Sequence, residues 1–559
     1  MAELQNFVAQ IQAAQLSAQS SLNGQMSALD LDSPPMPSGA GSGTNDWQES
    51  GITSNGPRFT TNDLWLQILS MSVTNATAHL LIHPPWNVTN GVYDLLYCTN
   101  LAPPISWQWL LRTEPGQTNL TAPAANAQGF YRLGPPNDSL GTDFWVAFFS
   151  VVNNGSDLAL YISSPVGATG TVTIPGLGIT NAFSVGAGAV TNVDLDPSVM
   201  MADYDVVETY GIQITASQPV SVYGVAYSPE TTCSFTGYPT TLLGTNYCVM
   251  SRASMDASPF DAPPDSQFNP NSQFAIVATA DNTTVTITPS PTADLEGHTN
   301  AYTLTNLQQG ETYQINSSTN TGDVTGTWIT SDKPLGVFAG ASIAFVPDTN
   351  TAFGNPLVQE QLPVDTWGRQ ALGLSFAGRE NGDSYRVLAA TNNTAVLTNG
   401  VMAGTIQARQ FLDLILDGPV EFQASQPIQV AQFANGSLFD GAYYGDPCEI
   451  LLPPTGHYLP TNIVFTLSGD WFAGYFDGDF EENYLNLIVA QSATNSTWVD
   501  GLVVAATNFV AIGSSGYYGA QITVTNIGVH TVTSSQPVGV QVYGFGIYDA
   551  YGYFGGLVK

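Results

Sequence analysis

The sequence has very little positive charge. It contains 10 Lys and Arg residues against 44 Asp and Glu residues, which gives a formal net charge of −34. A surface this acidic repels phosphate backbones and anionic membranes, so we predict no nucleic-acid partner. Only 10% of the residues are charged, however, so solubility must depend largely on Asn, Thr, Ser, Gln and Gly.

Cysteine and long apolar runs are also scarce. Four cysteines are too few for a disulfide scaffold, although Cys233 and Cys248 flank one loop. We predict a disulfide between these two, with a pair of buried thiols as the alternative. No apolar run approaches the ~18 residues of a membrane-spanning helix, and we predict no membrane span. No basic and then apolar signal peptide opens the chain, so we expect a removed leader or a longer parent protein.

The motifs of cofactor and nucleophile enzymes are missing as well. None of the five histidines is paired at metal-ligand spacing, and His79 and His83 lie in a strand-like stretch that ends at two prolines. No Gly-x-Ser-x-Gly elbow joins a strand to a helix, and no phosphate-binding loop with its Lys is present. We therefore predict that the protein is not an enzyme and holds no organic cofactor.

The sequence does contain one motif written four times. Each copy is a short alternating stretch, then Ser-x-Pro or Ser-Asp-Lys-Pro, then a second alternating stretch, with its proline at Pro219, Pro334, Pro427 or Pro537. Recurrence at about 100 residues indicates a repeated structural unit. We predict that each copy is a hairpin turning at the proline. Alternation further predicts that the apolar pairs after the prolines face the core, namely Val220 and Val222, Leu335 and Val337, Ile428 and Val430, and Val538 and Val540.

A second hairpin precedes each copy, with Asn, Asp or Gly in its turn, as in the stretch around Thr391-Asn392-Asn393-Thr394. The unit is thus a hairpin, variable middle strands and the proline motif. Its predicted copies span 140–235, 236–347, 348–440 and 441–559.

These motifs resemble the N-terminal domain family of IgGFc-binding protein, which also occurs in bacterial secreted proteins. The resemblance rests on the stretch from Gln361 to Arg369, the hairpin from Tyr385 to Asn393, and the stretch from Ala424 to Val430. It covers roughly residues 140–555. It implies an extracellular or cell-surface binding role, and no residue set for IgG binding can be carried over.

The remaining sequence predicts three further segments. Residues 1–28 form an N-terminal helix with apolar positions at four–three spacing, and residues 2–25 suit homo-oligomerisation. Residues 29–54 are a Pro/Gly/Ser-rich linker, and residues 55–135 alternate as the strands of a small β-sandwich module. The predicted fold class is all-β, with four tandem sandwich-like units of about 100 residues; a β-propeller is the alternative.

Candidate site residues fall in loops. The acidic cluster Asp477, Asp479, Glu481 and Glu482 supplies the oxygen ligands that Ca²⁺ prefers, although it lacks EF-hand spacing and a solvated turn is the alternative. Tyrosines in glycine-rich stretches suit a recognition surface, with packing between units as the alternative. They are Tyr443, Tyr444, Tyr517, Tyr518, Tyr551 and Tyr553.

Repetition of structural motifs without a repeated catalytic set favours a non-enzymatic extracellular binding or adhesion protein that recognises a protein or a glycan. Two alternatives remain open. One is a structural subunit of a surface layer or filament, and the other is a glycoside hydrolase that uses the acidic loops.

Overall fold

The computed structural model describes residues 65–72, 77–84, 93–99, 108–113, 116–123, 130–134, 138–151, 156–228, 231–255, 271–348, 351, 353–442, 444–467 and 480–558. The predicted helix at 1–28 and the linker at 29–54 lie outside these residues. The chain divides into two compact units, Met1–Pro136 and Asn137–Lys559.

The first compact unit contains two three-stranded antiparallel sheets with the orders β1-β2-β5 and β4-β3-β6. One core of alternating strand residues is shared by both sheets, including Leu80, Ile82, Leu95 and Leu120. Two sheets facing one core form a small β-sandwich. The strands are β1 Trp65–Ser72, β2 Thr77–His83, β3 Asp94–Cys98, β4 Gln108–Arg112, β5 Asn119–Pro123 and β6 Phe130–Gly134.

The second compact unit contains four groups of strands, here called units 1 to 4. Unit 1 contains β7 Gly141–Val146, β8 Asp157–Ser164, β9 Ala168–Ile174, β10 Ile179–Val185, β11 Ala189–Leu195, β12 Val206–Glu208, β13 Ile212–Tyr227 and β14 Cys233–Gly237. Unit 2 contains β15 Gly244–Cys248, β16 Ser272–Ala278, β17 Thr283–Thr288, β18 Tyr302–Leu307, β19 Thr312–Asn316, β20 Trp328–Ala344 and β21 Asn355–Glu360.

Unit 3 contains β22 Gly368–Gly373, β23 Asp383–Ala389, β24 Thr394–Thr398, β25 Val401–Ile406, β26 Phe411–Leu416, β27 Val420–Phe433 and β28 Glu449–Leu452. Unit 4 contains β29 Leu459–Thr466, β30 Glu482–Ala490, β31 Thr497–Val499, β32 Leu502–Val503, β33 Val510–Ala511, β34 Tyr517–Val524, β35 Gly528–Gly546 and β36 Asp549–Phe554. The predicted boundaries at 347 and 440 precede β21 and β28, which pair with the long strands β20 and β27.

Helical structure in the described residues is limited to single turns, and no helix there is long and apolar enough to cross a membrane. The turns are the α-helix Ser437–Asp440 and the 3₁₀-helices Pro175–Leu177, Pro197–Val199, Val364–Thr366, Thr455–His457, Gln491–Ala493 and Ala506–Asn508.

The repeated proline motif is not a hairpin, and that prediction is wrong. Each proline lies inside one long strand, β13, β20, β27 or β35. In all four units the register shifts at the motif: the long strand advances five residues while its partner advances two. Such a bulge bends and twists a strand, and proline suits it because it needs no ladder donor there. The two halves of β13 accordingly pair with different strands, β7 and β9 before the bulge and β8 and β14 after it.

The predicted burial after the prolines is confirmed. All eight apolar residues are buried, from Val220 in unit 1 to Val540 in unit 4. The residues between them are small or polar as predicted, but they are buried too; a Cβ on Gly539, for example, would lie 2.7 Å from the Tyr458 ring. Both faces of each long strand are therefore packed, which explains why its second half carries so few charged residues.

The four units form a closed cycle. One core joins unit 1 to unit 2, a second joins unit 2 to unit 3, a third joins unit 3 to unit 4, and a fourth joins unit 4 back to unit 1. The last strands of the units, β14, β21, β28 and β36, contact one another at the centre. The all-β fold and the fourfold repeat are thus confirmed. Each unit has one curled sheet, and β12 of unit 1 joins the edge of the unit 2 sheet by pairing with β19. The described residues form no propeller, because each long strand bends through its own sheet at the bulge.

Candidate functional site

A cleft lies between unit 4 and unit 1, and we call it the 4–1 cleft. It is shallow: about 10 Å³ is accessible to the centre of a water molecule, which is room for about one water. Unit 1 supplies most of its lining and unit 4 supplies the opposite wall. The lining residues are Asp157, Ala159, Tyr161, Val225, Tyr227, Leu467 and Phe480.

Strand alternation explains why the unit 1 residues share the cleft. Asp157, Ala159 and Tyr161 are every second residue of β8, so they point to one face of the sheet. Across the ladder, Asp157 pairs with Tyr227 and Ala159 pairs with Val225, which places β13 side chains on the same face. The cleft floor is therefore one face of the unit 1 sheet.

The cleft is aromatic and anionic. The Tyr161 ring stacks on Phe465 of unit 4 with a centroid distance of 4.2 Å and an interplanar angle of 10°. Burial, and after it the Asp194 carboxylate, raises the pKa of Tyr161 to about 12. Asp194 pairs with Ala159 across β11 and β8, so a second carboxylate lies on the same face of the sheet, near Tyr161.

No cationic side chain of the flanking units can balance these carboxylates. Residues 138–237 and 459–558, which include all of units 1 and 4, contain neither Lys nor Arg. The arrangement of tyrosine faces beside carboxylates favours a cation, because a ring quadrupole and a carboxylate both attract positive charge.

A second group of unusual residues lies at the centre, where the last strands of the four units meet. The Gln359 amide of unit 2 donates to the backbone carbonyls of Ser234, Glu449 and Gly552, at 3.0, 2.7 and 3.3 Å. One side chain therefore binds the other three units. Because an unpaired buried amide is costly, this contact favours a single arrangement of the four central strands.

Asp549 is the best-satisfied carboxylate at the centre. It accepts hydrogen bonds from the Thr232 backbone N–H at 2.7 Å, the Thr232 hydroxyl at 2.6 Å and the Ala550 N–H at 2.9 Å. These donors favour the charged form, but burial outweighs them and raises the pKa of Asp549 to about 7.

Glu449 is the least satisfied central carboxylate. It is 2% exposed, and neither of its carboxylate oxygens has a hydrogen-bond partner among the described residues. Burial raises its pKa to about 8, although the Arg386 and Arg252 guanidinium groups act in the opposite direction. Glu449 also borders a cavity with room for about one water molecule, which Cys233 and Cys448 line as well. Burial thus brings the pKa values of two central carboxyl groups into the neutral range.

The structure divides the tyrosines predicted to bind a ligand. Tyr443 lies outside the described residues, whereas Tyr444, Tyr517 and Tyr518 are half-buried against the unit 3 and unit 4 cores. Tyr551 and Tyr553 are completely buried. Their hydroxyls donate to the Asn483 side chain at 2.5 Å and to the Phe465 carbonyl at 2.6 Å. Tyr551 and Tyr553 therefore do not form a recognition surface. They pack inside the protein, because β36 is a central strand.

The predicted calcium residues are only partly described. Asp477 and Asp479 lie outside the described residues. Glu481 is exposed, and Glu482 is half-buried at the start of β30. The described residues contain no group of three or more His, Cys, Asp or Glu side chains that would hold a metal ion. Calcium binding stays a prediction.

The predicted disulfide between Cys233 and Cys248 is not formed, and both thiols are free and buried. Their positions explain this: Cys233 packs in the core that joins units 1 and 2, whereas Cys248 packs in the core that joins units 2 and 3. Burial raises the pKa of each thiol to about 12. The alternative of two buried thiols describes this pair.

Sequence reasoning missed the 4–1 cleft. Two signals for it were present, namely the alternating Asp157-x-Ala159-x-Tyr161 and the complete lack of Lys and Arg in the first and last units. Nothing in the sequence indicated that Asp157 and Tyr227 lie in one cleft with Leu467 and Phe480, because this depends on closure of the cycle.

Comparison with known proteins identifies relatives of the repeat region. A family model described as IgGFc binding protein matches residues 233–544. The human IgGFc-binding protein is 25% identical over 354 residues, which is 62% of this chain and 6% of the human protein. The chain therefore spans a small fraction of that relative's length. A solved structure of chicken CNTN1 FN1–FN3 domains is 10% identical, covers 49% of this chain and 91% of its own, and has a TM-score of 0.09, too low to carry any argument.

Proposed function

The chain belongs to the IgGFc-binding protein family, and from this membership we propose that it is an extracellular, non-enzymatic binding protein with a protein ligand. Family membership is the observation that carries the proposal. The name of the human relative describes a protein that binds a protein, and here that property is proposed for this chain.

The outer edges of units 3 and 4 support a protein ligand rather than a small molecule. Large apolar side chains are exposed on the short edge strands β25 and β32: Val401 is 69% exposed, Met402 60%, Leu502 75% and Val503 60%. Exposed apolar residues on edge strands are typical of surfaces that a second protein covers.

The surface charge of this protein indicates what charge its partner carries. Among the described residues of units 1 to 4, three of the six cations, Arg252, Arg379 and Arg386, are buried. The accessible surface is therefore overwhelmingly anionic. Such a surface speeds association with a basic partner and repels an acidic one, so we propose a ligand with a basic contact surface.

An array of extracellular proteins, probed with the full chain at physiological salt, tests the proposal; a glycan array serves as the parallel arm. We expect at least one saturable protein ligand whose association rate falls as salt rises. Binding to glycans alone would contradict the proposal, as would the absence of any specific binder. Met402→Ser and Leu502→Ser variants that fold normally show whether the exposed apolar strands take part.

A further inference from the structure

The four loops that join each long strand to the last strand of its unit meet in one surface. Their described residues, which we call the loop face, are 228, 231–232, 345–348, 351, 353–354, 434–442, 444–448 and 547–548. Hydrogen bonds of 2.7 to 2.9 Å join the loops and the strand ends beside them: Thr232 to Asp549 (units 1 and 4), Asn355 to Thr232 (units 2 and 1), Gly436 to Val346 (units 3 and 2) and Gly445 to Gly546 (units 3 and 4). All four units therefore contribute to the loop face.

The loop face carries a pair of exposed aromatic rings. Phe353 of unit 2 is 37% exposed and Tyr548 of unit 4 is 39% exposed. Every other aromatic residue in the described part of units 1 to 4 is less exposed than these two. The two rings stack, with centroids 4.3 Å apart and an interplanar angle of 31°. Leu438 of unit 3, which is 60% exposed, adds an apolar side chain to the same face.

Both exposed rings stand on an unfavourable backbone. Phe353 has a φ of +74° and Tyr548 a φ of +56°, a region that aromatic residues rarely adopt. The other described non-glycine residues with positive φ are Asp or Asn, which tolerate it, with Arg409 as the exception. The Arg409 guanidinium donates to the Gly326 and Thr288 carbonyls of unit 2 at 2.8 and 2.9 Å. The conformation of Arg409 therefore serves a contact between units.

Contact between units does not account for the ring pair in the same way. Units 2 and 4 are already joined beside it, because the Asn355 amide donates to the Ala550 carbonyl at 3.0 Å. More than a third of both Phe353 and Tyr548 remains exposed, so burial gives only part of the stabilisation that a packed ring provides. Backbone strain kept at an exposed position is typical of residues that contact a ligand.

The loops carry charge of one sign. Their sequences contain four Asp or Glu residues and no Lys, Arg or His. The Arg252 guanidinium donates to the Pro347 carbonyl at 2.5 Å, but Arg252 is buried. Acidic loops favour a basic partner, and the faces of aromatic rings also attract cations. Charge and ring chemistry therefore favour the same kind of partner.

We propose that the loop face is the contact surface for the basic protein partner, and that Lys or Arg side chains of the partner pack on the Phe353 and Tyr548 rings. Aromatic residues are enriched among those that dominate binding at protein interfaces. This site rests on the proposed function, since it needs a protein ligand.

Asparagine substitutions remove the rings without straining the backbone. Asparagine tolerates positive φ, so we expect Phe353→Asn and Tyr548→Asn to leave the thermal unfolding temperature unchanged or to raise it. We expect each variant to weaken partner binding about threefold or more, because a cation loses its aromatic contact. A ring pair with only a structural role would give the reverse, namely a lower unfolding temperature with unchanged binding.

The matched control is Val166→Asn, which removes a 54% exposed apolar side chain from the turn between β8 and β9. This turn lies at the end of the ladder where Ser163 pairs with Ser221, whereas the loop face begins at the other end, after Tyr227. We expect the control to leave binding unchanged.

A basic peptide tests the loop face without an identified partner. The probe is an acetylated and amidated tetra-arginine peptide with a benzophenone cross-linker, and its tetra-citrulline counterpart has the same shape without the charge. The full chain is cross-linked to each peptide over a range of concentrations at physiological salt, and the sites are mapped by mass spectrometry. We expect saturable cross-links from the arginine peptide at the loop face. Phe353→Asn and Tyr548→Asn should weaken them about threefold or more, and Val166→Asn should not.

The outcomes separate this inference from the proposed function. No saturable cross-linking, equal cross-linking by the two peptides, cross-links away from the loop face, or equal effects of the three variants would overturn the inference. If the array yields a protein ligand whose affinity is unchanged in Phe353→Asn and Tyr548→Asn, the loop face is refuted and the proposed function stands. If the peptide cross-links as expected but the array yields no protein, the proposed function fails while the loop face remains a site for basic peptides.

Discussion

The central carboxyl groups should make the protein less stable as pH rises. In an unfolded chain Asp549 ionises near its ordinary value of 3.8, whereas burial in the folded protein raises its pKa to about 7. Between these values the folded state holds a proton that the unfolded state has released. The free energy of unfolding therefore falls as pH rises through this window.

The size of the effect follows from the pKa difference. A rise from 3.8 to about 7 is roughly a thousandfold change in acid dissociation, or about 4 kcal/mol. Glu449 acts in the same direction because burial raises its pKa from 4.5 to about 8. The two contributions occupy overlapping ranges, so most of the loss should occur between about pH 5 and pH 8.

The Asp549→Asn variant isolates the contribution of Asp549 to the pH dependence of stability. Asparagine can still accept the Thr232 N–H hydrogen bond but does not titrate. We expect the variant to lose about 4 kcal/mol less stability than the wild type between pH 4 and pH 8. Guanidinium chloride unfolding at pH 4, 5, 6, 7 and 8, followed by tyrosine and tryptophan fluorescence, measures the difference.

The control is Asp332→Asn, because Asp332 is exposed and its carboxylate accepts a hydrogen bond from the Thr284 N–H at 2.8 Å. It should follow the wild-type pH profile. The wild type and the variants share the general charge repulsion of a chain with a net charge of −34, so its effect on the pH profile cancels when the profiles are compared. If the Asp549→Asn and wild-type profiles are parallel, or if wild-type stability rises from pH 5 to pH 8, the reasoning is refuted.

Three further expectations follow from packing and burial. Gly244→Ala should lower the free energy of unfolding by about 1–3 kcal/mol, because the added Cβ would lie 2.6 Å from the Pro363 Cβ. The control Gly456→Ala has open space around the added Cβ and should lower it much less. Equal losses in the two variants would contradict this. Arg386→Leu should cost about 3–5 kcal/mol by denaturant unfolding, because it leaves the Asp323 carboxylate buried without its 2.5 Å partner; a loss below about 1 kcal/mol would count against it. All four cysteine side chains are buried, so the native protein should not react with an aromatic disulfide reagent until it unfolds. Rapid labelling of the native protein would contradict this.

Much of the fold could be predicted because it depends on local pattern. Alternation of apolar and small or polar residues is enough to predict strands, and the repeated Ser-x-Pro motif is enough to predict four equivalent units. The burial of Val222, Val337, Val430 and Val540 follows from the same two-residue period. These features need no knowledge of which distant segments meet.

Other features depended on contacts that the local pattern does not contain. Proline and its polar neighbours are as typical of a turn as of a bulge, and only the pairing of β13 with strands on both sides of Pro219 decides between them. Likewise, Tyr551 and Tyr553 have glycine neighbours typical of an exposed loop, yet they are buried because β36 packs among the last strands of the other units.

The candidate site shows the same division. The sequence by itself determined the chemistry available to units 1 and 4, namely carboxylates and tyrosines without Lys or Arg between 138–237 and 459–558. Only the tertiary structure decided that Asp157 and Tyr227 of the first unit meet Phe480 of the last in one cleft. The physical reason is that residue type and spacing fix what each strand presents on its two faces, whereas closure of a cycle brings together faces that are hundreds of residues apart in the chain.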